Sequence, residues 1–166
     1  MTDPSGGQAL SAAVVVASTR AAAGVYPDAT GPLLVDFLTE LGFAATGPVV
    51  VPDGEAVGTA IADAVSAGAR VVLTTGGTGL TPTDRTPEVT RRLLDREVPG
   101  IAEAIRAAGV AKGVPTAMLS RGLAGLAGTC VVVNLPGSRG GVADAIEVLR
   151  EVLTHAAAQA VGSDHR

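Results

Sequence analysis

The chain has 166 residues, 47% of them hydrophobic but only 2% aromatic, so a domain-sized core has to be built from Val, Leu, Ile and Ala. Its formal net charge is −4 and Lys112 is its one lysine, which excludes unspecific nucleic-acid binding through a basic face. The one cysteine, Cys130, excludes an internal disulfide, and no apolar segment approaches the roughly 20 residues of a membrane helix, so a soluble cytoplasmic protein is expected.

Residues 1–8 lack the basic start of a signal peptide and read as a flexible tip. A first strand is predicted from Ala13 to Ala17, followed by Ser18, Thr19 and Arg20 and then Gly24, Tyr26 and Asp28. Arg20 could clamp an anion. Tyr26 could stack on a flat heterocycle or simply pack. Leu33, Leu34, Phe37, Leu38 and Leu41 share one helical face, with Gly42 as the stop.

A second strand, Pro48 to Val51, leads into Pro52-Asp53-Gly54-Glu55, where Asp53 can cap the next helix or serve chemistry. That helix carries Val57, Ile61 and Val65 and ends at Gly68. The third strand, Val71 to Leu73, runs into TTGGTGLTPTD at residues 74–84. Thr86-Pro87-Glu88 then reads as an N-cap, a proline at the first helical position and an acid favoured by the helix dipole. With the cap filled by Thr86, Asp84 has no capping duty, which leaves an Asx turn or a functional role.

Arg91, Arg92 and Arg96 read as a solvated helix face, and Ile101 and Ile105 mark another short helix. The apolar run Ala117-Met118-Leu119 is a fifth candidate strand, followed by Ser120-Arg121-Gly122, and Arg121 could clamp an anion. A last strand from Cys130 to Leu135 gives way to Asn134-Leu135-Pro136-Gly137-Ser138, with Ser138 able to cap the final helix through Ile146, Leu149, Val152, Leu153 and Ala156. Neither His155 nor His165 is placed for catalysis, and residues 162–166 read as a loose end.

Apolar runs without alternation, separated by helical segments, predict strands covered on both faces. The fold class is therefore α/β, a mostly parallel, doubly wound sheet in a single domain spanning residues 9–161. Ligands of such sheets bind beyond the carboxyl ends of the strands. The glycine loop at 76–79 can cradle an anion with backbone N–H groups. It is neither a Walker A loop nor a dinucleotide fingerprint. With no lysine expected nearby, phosphate charge would fall to N–H groups, arginine or a metal. Two carboxylates beside such a loop, Asp53 and Asp84, are what Mg²⁺ binding needs.

Taken in order, these motifs resemble the molybdenum cofactor biosynthesis family, which includes molybdopterin adenylyltransferase, the bacterial MogA and MoaB forms and the gephyrin G domain. The resemblance runs from about Ala13 to Leu153. It implies a three-layer α/β/α fold, commonly a homotrimer, and Mg-ATP-dependent adenylylation of molybdopterin with release of pyrophosphate. The acids of the family match Asp53 and Asp84. By the same correspondence Thr75, Gly76, Gly77, Thr78, Gly79, Ser120, Asn134, Pro136, Gly137 and Ser138 line the pterin and phosphate pocket, with Ser18, Arg20, Tyr26, Asp28 and Arg121 as further substrate contacts. A downstream molybdenum-insertion protein is the implied partner. Where the family often has arginine before the second acid, this chain has Thr83, with Arg85 after it. The alternatives are a protein that binds or carries molybdopterin without catalysis, another nucleotide-dependent α/β enzyme, and a scaffold.

Overall fold

The structure, a computed structural model, describes residues 7–163; the remaining terminal residues, His165 among them, lie outside the described part. A six-stranded sheet is ordered β2-β1-β3-β6-β5-β4. Its strands are β1 (Ser11–Ala17), β2 (Ala44–Val51), β3 (Val71–Thr75), β4 (Arg96–Glu97), β5 (Ala124–Ala127) and β6 (Cys130–Leu135). The first four in spatial order run parallel, and β5 and β4 add an antiparallel edge.

The helices are α1 (Thr19–Ala22), α2 (Gly31–Glu40), α3 (Glu55–Ser66), α4 (Thr86–Arg91), α5 (Pro99–Ala111) and α6 (Arg139–Ala160). They form two outer layers. Val14 and Val16 of β1 join Leu34 and Phe37 of α2 and Leu149 and Leu153 of α6 in one core. Val15 and Ala17, pointing the other way, join Val57 and Ile61 of α3 and Val89 of α4 in the second. The three-layer, mostly parallel architecture expected from the residue pattern is the one observed.

Strand order fixes where a ligand can sit. From β1 the chain passes to β2 on one side, then returns to β3 on the other, so the loops after β1 and β3 diverge at a switch point. β3 and β6 are buried along their whole length, as an unalternating apolar run predicts.

Three expectations need correction. The stretch Pro48 to Val51 is only the end of β2, an edge strand with Val49 half exposed, so it is not covered on both faces. The run Ala117-Met118-Leu119 forms no strand: it lies in a 3-10 turn (Pro115–Leu119) with Met118 and Leu119 exposed. Arg96 belongs to β4, while Arg91 pairs with Glu97 and Arg92 with Glu55. Cys130 is the buried small residue it was expected to be, its thiol pushed up to about 12 by burial and therefore unreactive. No helix among the described residues is long and apolar enough to cross a membrane.

Candidate active site

The glycine loop leaves β3 beside the end of β6, where the Gly76 N–H donates to the Leu135 carbonyl at 3.1 Å. Gly76 and Gly77 adopt positive φ angles of 90° and 68°, which turn the Gly76 carbonyl out of the sheet. That carbonyl needs a donor, and the Thr86 hydroxyl supplies it at 3.0 Å. Thr86 is thus the first residue of α4, wholly buried, and not its cap; Arg85 holds the cap position without a side-chain bond. The expected capping role of Thr86 gives way because the loop claims its hydroxyl.

Asp53 does not cap α3 either, since Gly54 occupies that position. Its Oδ2 accepts from the Thr19 N–H at 3.2 Å and the Thr19 hydroxyl at 3.0 Å, tying the end of β2 to the start of α1. A Cβ on Gly77 would lie 2.9 Å from Asp53 Oδ1, so the missing side chain is what lets the carboxylate rest against the loop. Asp84 closes a turn: its N–H donates to the Thr81 carbonyl and its Oδ2 accepts from the Thr81 N–H, both at 3.0 Å. A Cβ on Gly79 would approach that Oδ2 to 2.8 Å. Both acids therefore press on the glycine loop, and each keeps Oδ1 without a hydrogen-bond partner among the described residues. Thr83 only meets the Thr81 hydroxyl at 3.3 Å, and the charge of Arg85 is felt by Glu55 and Glu88.

A hollow of about 680 Å³ opens over this loop, within the usual range for small-molecule sites. One end is polar: residues 77–79, Asp84, Ser120 and residues 136–138 face it. Ser138 caps α6 as expected, accepting from the Gly141 N–H at 3.0 Å, so the positive end of a 22-residue helix faces this end of the hollow. The other end is apolar, with Ile105, Val114 and Leu119, and carries Arg106, Lys112 and Asp144. The expectation of no nearby lysine is therefore corrected, since α5 brings the one lysine of the chain to the hollow from 28 residues beyond Asp84 (112 − 84). Arg106 holds the wall by donating to the carbonyls of Ser120 at 3.3 Å and Gly122 at 3.1 Å.

Other site residues lie elsewhere. Ser18, Tyr26, Asp28, Thr75 and Gly76 border a separate hollow of about 240 Å³, which meets the larger one at Gly137. There the Ser18 and Tyr26 hydroxyls lie 3.0 Å apart, and the Arg20 guanidinium sits 5.2 Å from the Tyr26 ring centre. Asp28 Oδ1 accepts from the N–H groups of Thr30 at 3.1 Å and Gly31 at 3.0 Å at the start of α2, while its buried Oδ2 has no partner among the described residues. Thr75 donates to the Pro136 carbonyl at 2.6 Å, joining the two loops.

Arg121 and Asn134 are turned inward. Arg121 donates to the Gly79 carbonyl at 2.9 Å and the Asp84 carbonyl at 2.8 Å, and pairs with Glu88, so it fastens both ends of the 79–84 turn. Three of its five N–H donors are spent on these internal partners, the Glu88 carboxylate among them. The Arg121 hydrogen bond holds the Glu88 carboxyl below the usual glutamate range, against an opposing effect of burial. A depressed carboxylate stabilises the fold above its unfolded pKa of about 4.3 and loses that contribution as pH falls through the folded value. The stability gap between wild type and Glu88→Gln should therefore be widest near neutrality and close at acid pH in urea titrations. A gap that stays constant as the pH is lowered would contradict it.

Asn134 is 2% exposed and points, with Val132, toward α4. Its amide donates to the Thr74 and Thr90 hydroxyls, both at 3.0 Å, and its carbonyl accepts from the Leu123 N–H at 3.1 Å. Asn134→Ala leaves two buried hydroxyls and the partly buried Leu123 N–H without this partner and should cost about 2–4 kcal/mol in chemical denaturation. A cost below about 1 kcal/mol would show that these bonds are replaceable.

With this geometry in place, residues 13–155 match the family described as a probable molybdopterin binding domain. The chain is 39% identical over 155 residues to a molybdenum cofactor biosynthesis bifunctional protein of Synechococcus elongatus, covering 93% of this chain but 48% of that one. It spans about half the length of that curated relative. Over 146 residues it is 34% identical to a molybdopterin adenylyltransferase of Pyrococcus furiosus, covering 86% of each. Among solved structures, a molybdopterin biosynthesis Mog protein from Mycobacterium ulcerans is 51% identical with a TM-score of 0.88, covering 92% of this chain and 99% of that one.

Proposed function

The chain belongs to the molybdopterin-binding domain family of molybdenum cofactor biosynthesis, and on that premise we propose that it adenylylates molybdopterin from ATP. A terminal phosphate oxygen of molybdopterin attacks the α-phosphorus of ATP; the new P–O bond forms as the α–β bridging bond breaks, and pyrophosphate leaves. The observation that carries this reading is the pair of carboxylates pressed on one glycine loop, Asp53 against Gly77 and Asp84 against Gly79, with Asp84 also lining the hollow. It is supported by the likeness to an adenylyltransferase of nearly equal length.

Phosphoryl chemistry of this kind asks the protein mainly for positioning and charge stabilisation. The N–H groups of residues 77–79 and the N-terminus of α6 suit an anionic acceptor phosphate. Asp53 and Asp84 suit Mg²⁺, because each offers a free Oδ1 and the ion completes its shell with substrate phosphates. When bound, the ion would offset the triphosphate charge that repels the incoming phosphate. Thr19 and the Thr81 turn fix the two acids, and Arg121 braces the turn. The homotrimer, the cytoplasmic setting and the handover to a molybdenum-insertion protein belong to the same reading.

The test is to incubate the purified protein with molybdopterin and Mg-ATP. AMP-linked pterin with stoichiometric pyrophosphate supports the enzyme. Pterin binding without pyrophosphate would make the chain a carrier, and no pterin binding would point to a different nucleotide-dependent enzyme.

A further inference from the structure

The apolar end of the large hollow carries a charge arrangement unsuited to phosphate. Lys112 Nζ donates to Asp144 Oδ1 at 2.9 Å and to Glu147 Oε2 at 2.6 Å, so one cation faces two carboxylates. The Asp144 side chain is only 16% exposed and faces the hollow, whereas Glu147, 67% exposed, lies toward solvent. Asp144 Oδ2 has no partner among the described residues. Gly109 lies beside it: a Cβ there would reach within 2.5 Å of Ala117 and 3.9 Å of Oδ2, so the wall has little room for a further side chain. This apolar end of the hollow is therefore a slot that carries two carboxylate oxygens and an adjacent ammonium with one N–H to spare.

We propose that Asp144 and Lys112 read the 2-amino-4-oxo edge of a pterin. This rests on the adenylyltransferase reading and names the residues that select its acceptor. The edge presents two neighbouring N–H donors and then a carbonyl. The carboxylate accepts from both donors, and the ammonium donates to the carbonyl. An adenine edge offers one donor beside a ring-nitrogen lone pair, which the carboxylate repels. The pterin therefore enters this end with its phosphate toward the glycine loop, and neither residue follows a strand, so the strand-end motifs do not include them.

The experiment compares wild type and Asp144→Asn, as full chains, by fluorescence titration with pterin and with lumazine, which carries oxygen in place of the 2-amino group. Wild type should prefer pterin by at least about tenfold, since a site built to accept N–H donors rejects an analogue that lacks one. In Asp144→Asn that preference should vanish while lumazine binding stays within about threefold of wild type, which a folding defect would not produce. A variant that keeps the preference overturns the assignment. GMP shares the same edge; if wild type binds it more tightly than pterin, the slot belongs to a purine nucleotide and the proposal falls. If wild type shows no preference yet releases pyrophosphate from molybdopterin and ATP, the edge assignment fails and the proposed function stands. If it shows neither, both fail.

Discussion

An Asp84→Asn variant is expected to transfer adenylyl groups about 100- to 1,000-fold more slowly than wild type while still binding the pterin substrate. The substitution is nearly isosteric, and the amide oxygen can still accept from the Thr81 N–H, so the turn should persist. What disappears is a full negative charge at the edge of the glycine loop. Divalent ions of the Mg²⁺ type take carboxylate oxygens in near-ideal octahedral geometry, and a neutral amide is a poor replacement. Binding of the pterin, which draws on the opposite end of the hollow, should change little. Pyrophosphate release under saturating substrates, read beside fluorescence titration of pterin, separates the two effects. Turnover within about threefold of wild type would remove Asp84 from the reaction. The same change at Asp53 is a less clean probe, because Asp53 Oδ2 also anchors Thr19 at the start of α1.

Much of this arrangement was legible in the residues, for a local reason. In a parallel sheet the strand ends gather at one side, so whatever follows a strand in sequence is brought there. Residues 77–79 of the glycine loop, Asp84 and Pro136 to Ser138 could be collected in this way, and they do line one hollow; Ser120 lines it too, although it follows a 3-10 turn and not the strand expected there. Residues contributed by helices could not. Arg106, Lys112 and Asp144 reach the hollow because α5 and α6 fold over it, which is a property of packing that no strand-end motif records.

Side-chain direction was the second obstacle. Asn134 counts in sequence both as part of the last strand and among the site residues that follow it; it lies within β6, and strand alternation points it at α4. Arg121 follows the 3-10 turn, but three internal acceptors take up its guanidinium. In the fold, β1, β3 and β6 announced themselves because both faces are buried, whereas β5 has the sequence AGLA and β4 only two charged residues. β5 exists because β6 offers it an edge and β4 because β5 does in turn, and pairing of that sort leaves little trace in composition.

Gly76→Ala should have the largest effect on stability of any single-methyl addition near the site. At φ 90° an alanine costs roughly 1–2 kcal/mol by backbone strain alone. The added Cβ would also come within 2.3 Å of the Ala17 carbonyl oxygen, at the end of the interior strand β1. That oxygen belongs to backbone within the sheet, so it cannot swing aside as a side chain could. Gly24, at φ 75° with nothing within 4 Å of its would-be Cβ, isolates the strain contribution. Gly24→Ala should lower the melting temperature by about 2–8 °C, and Gly76→Ala by more than about 10 °C or to the point where soluble protein is lost. If the two variants melt within about 2 °C of each other, the close approach of the glycine loop to β1 is not what demands glycine at position 76. If they differ as expected, the loop is held against the sheet by contact as well as by hydrogen bonds, and its N–H groups are fixed before any phosphate arrives.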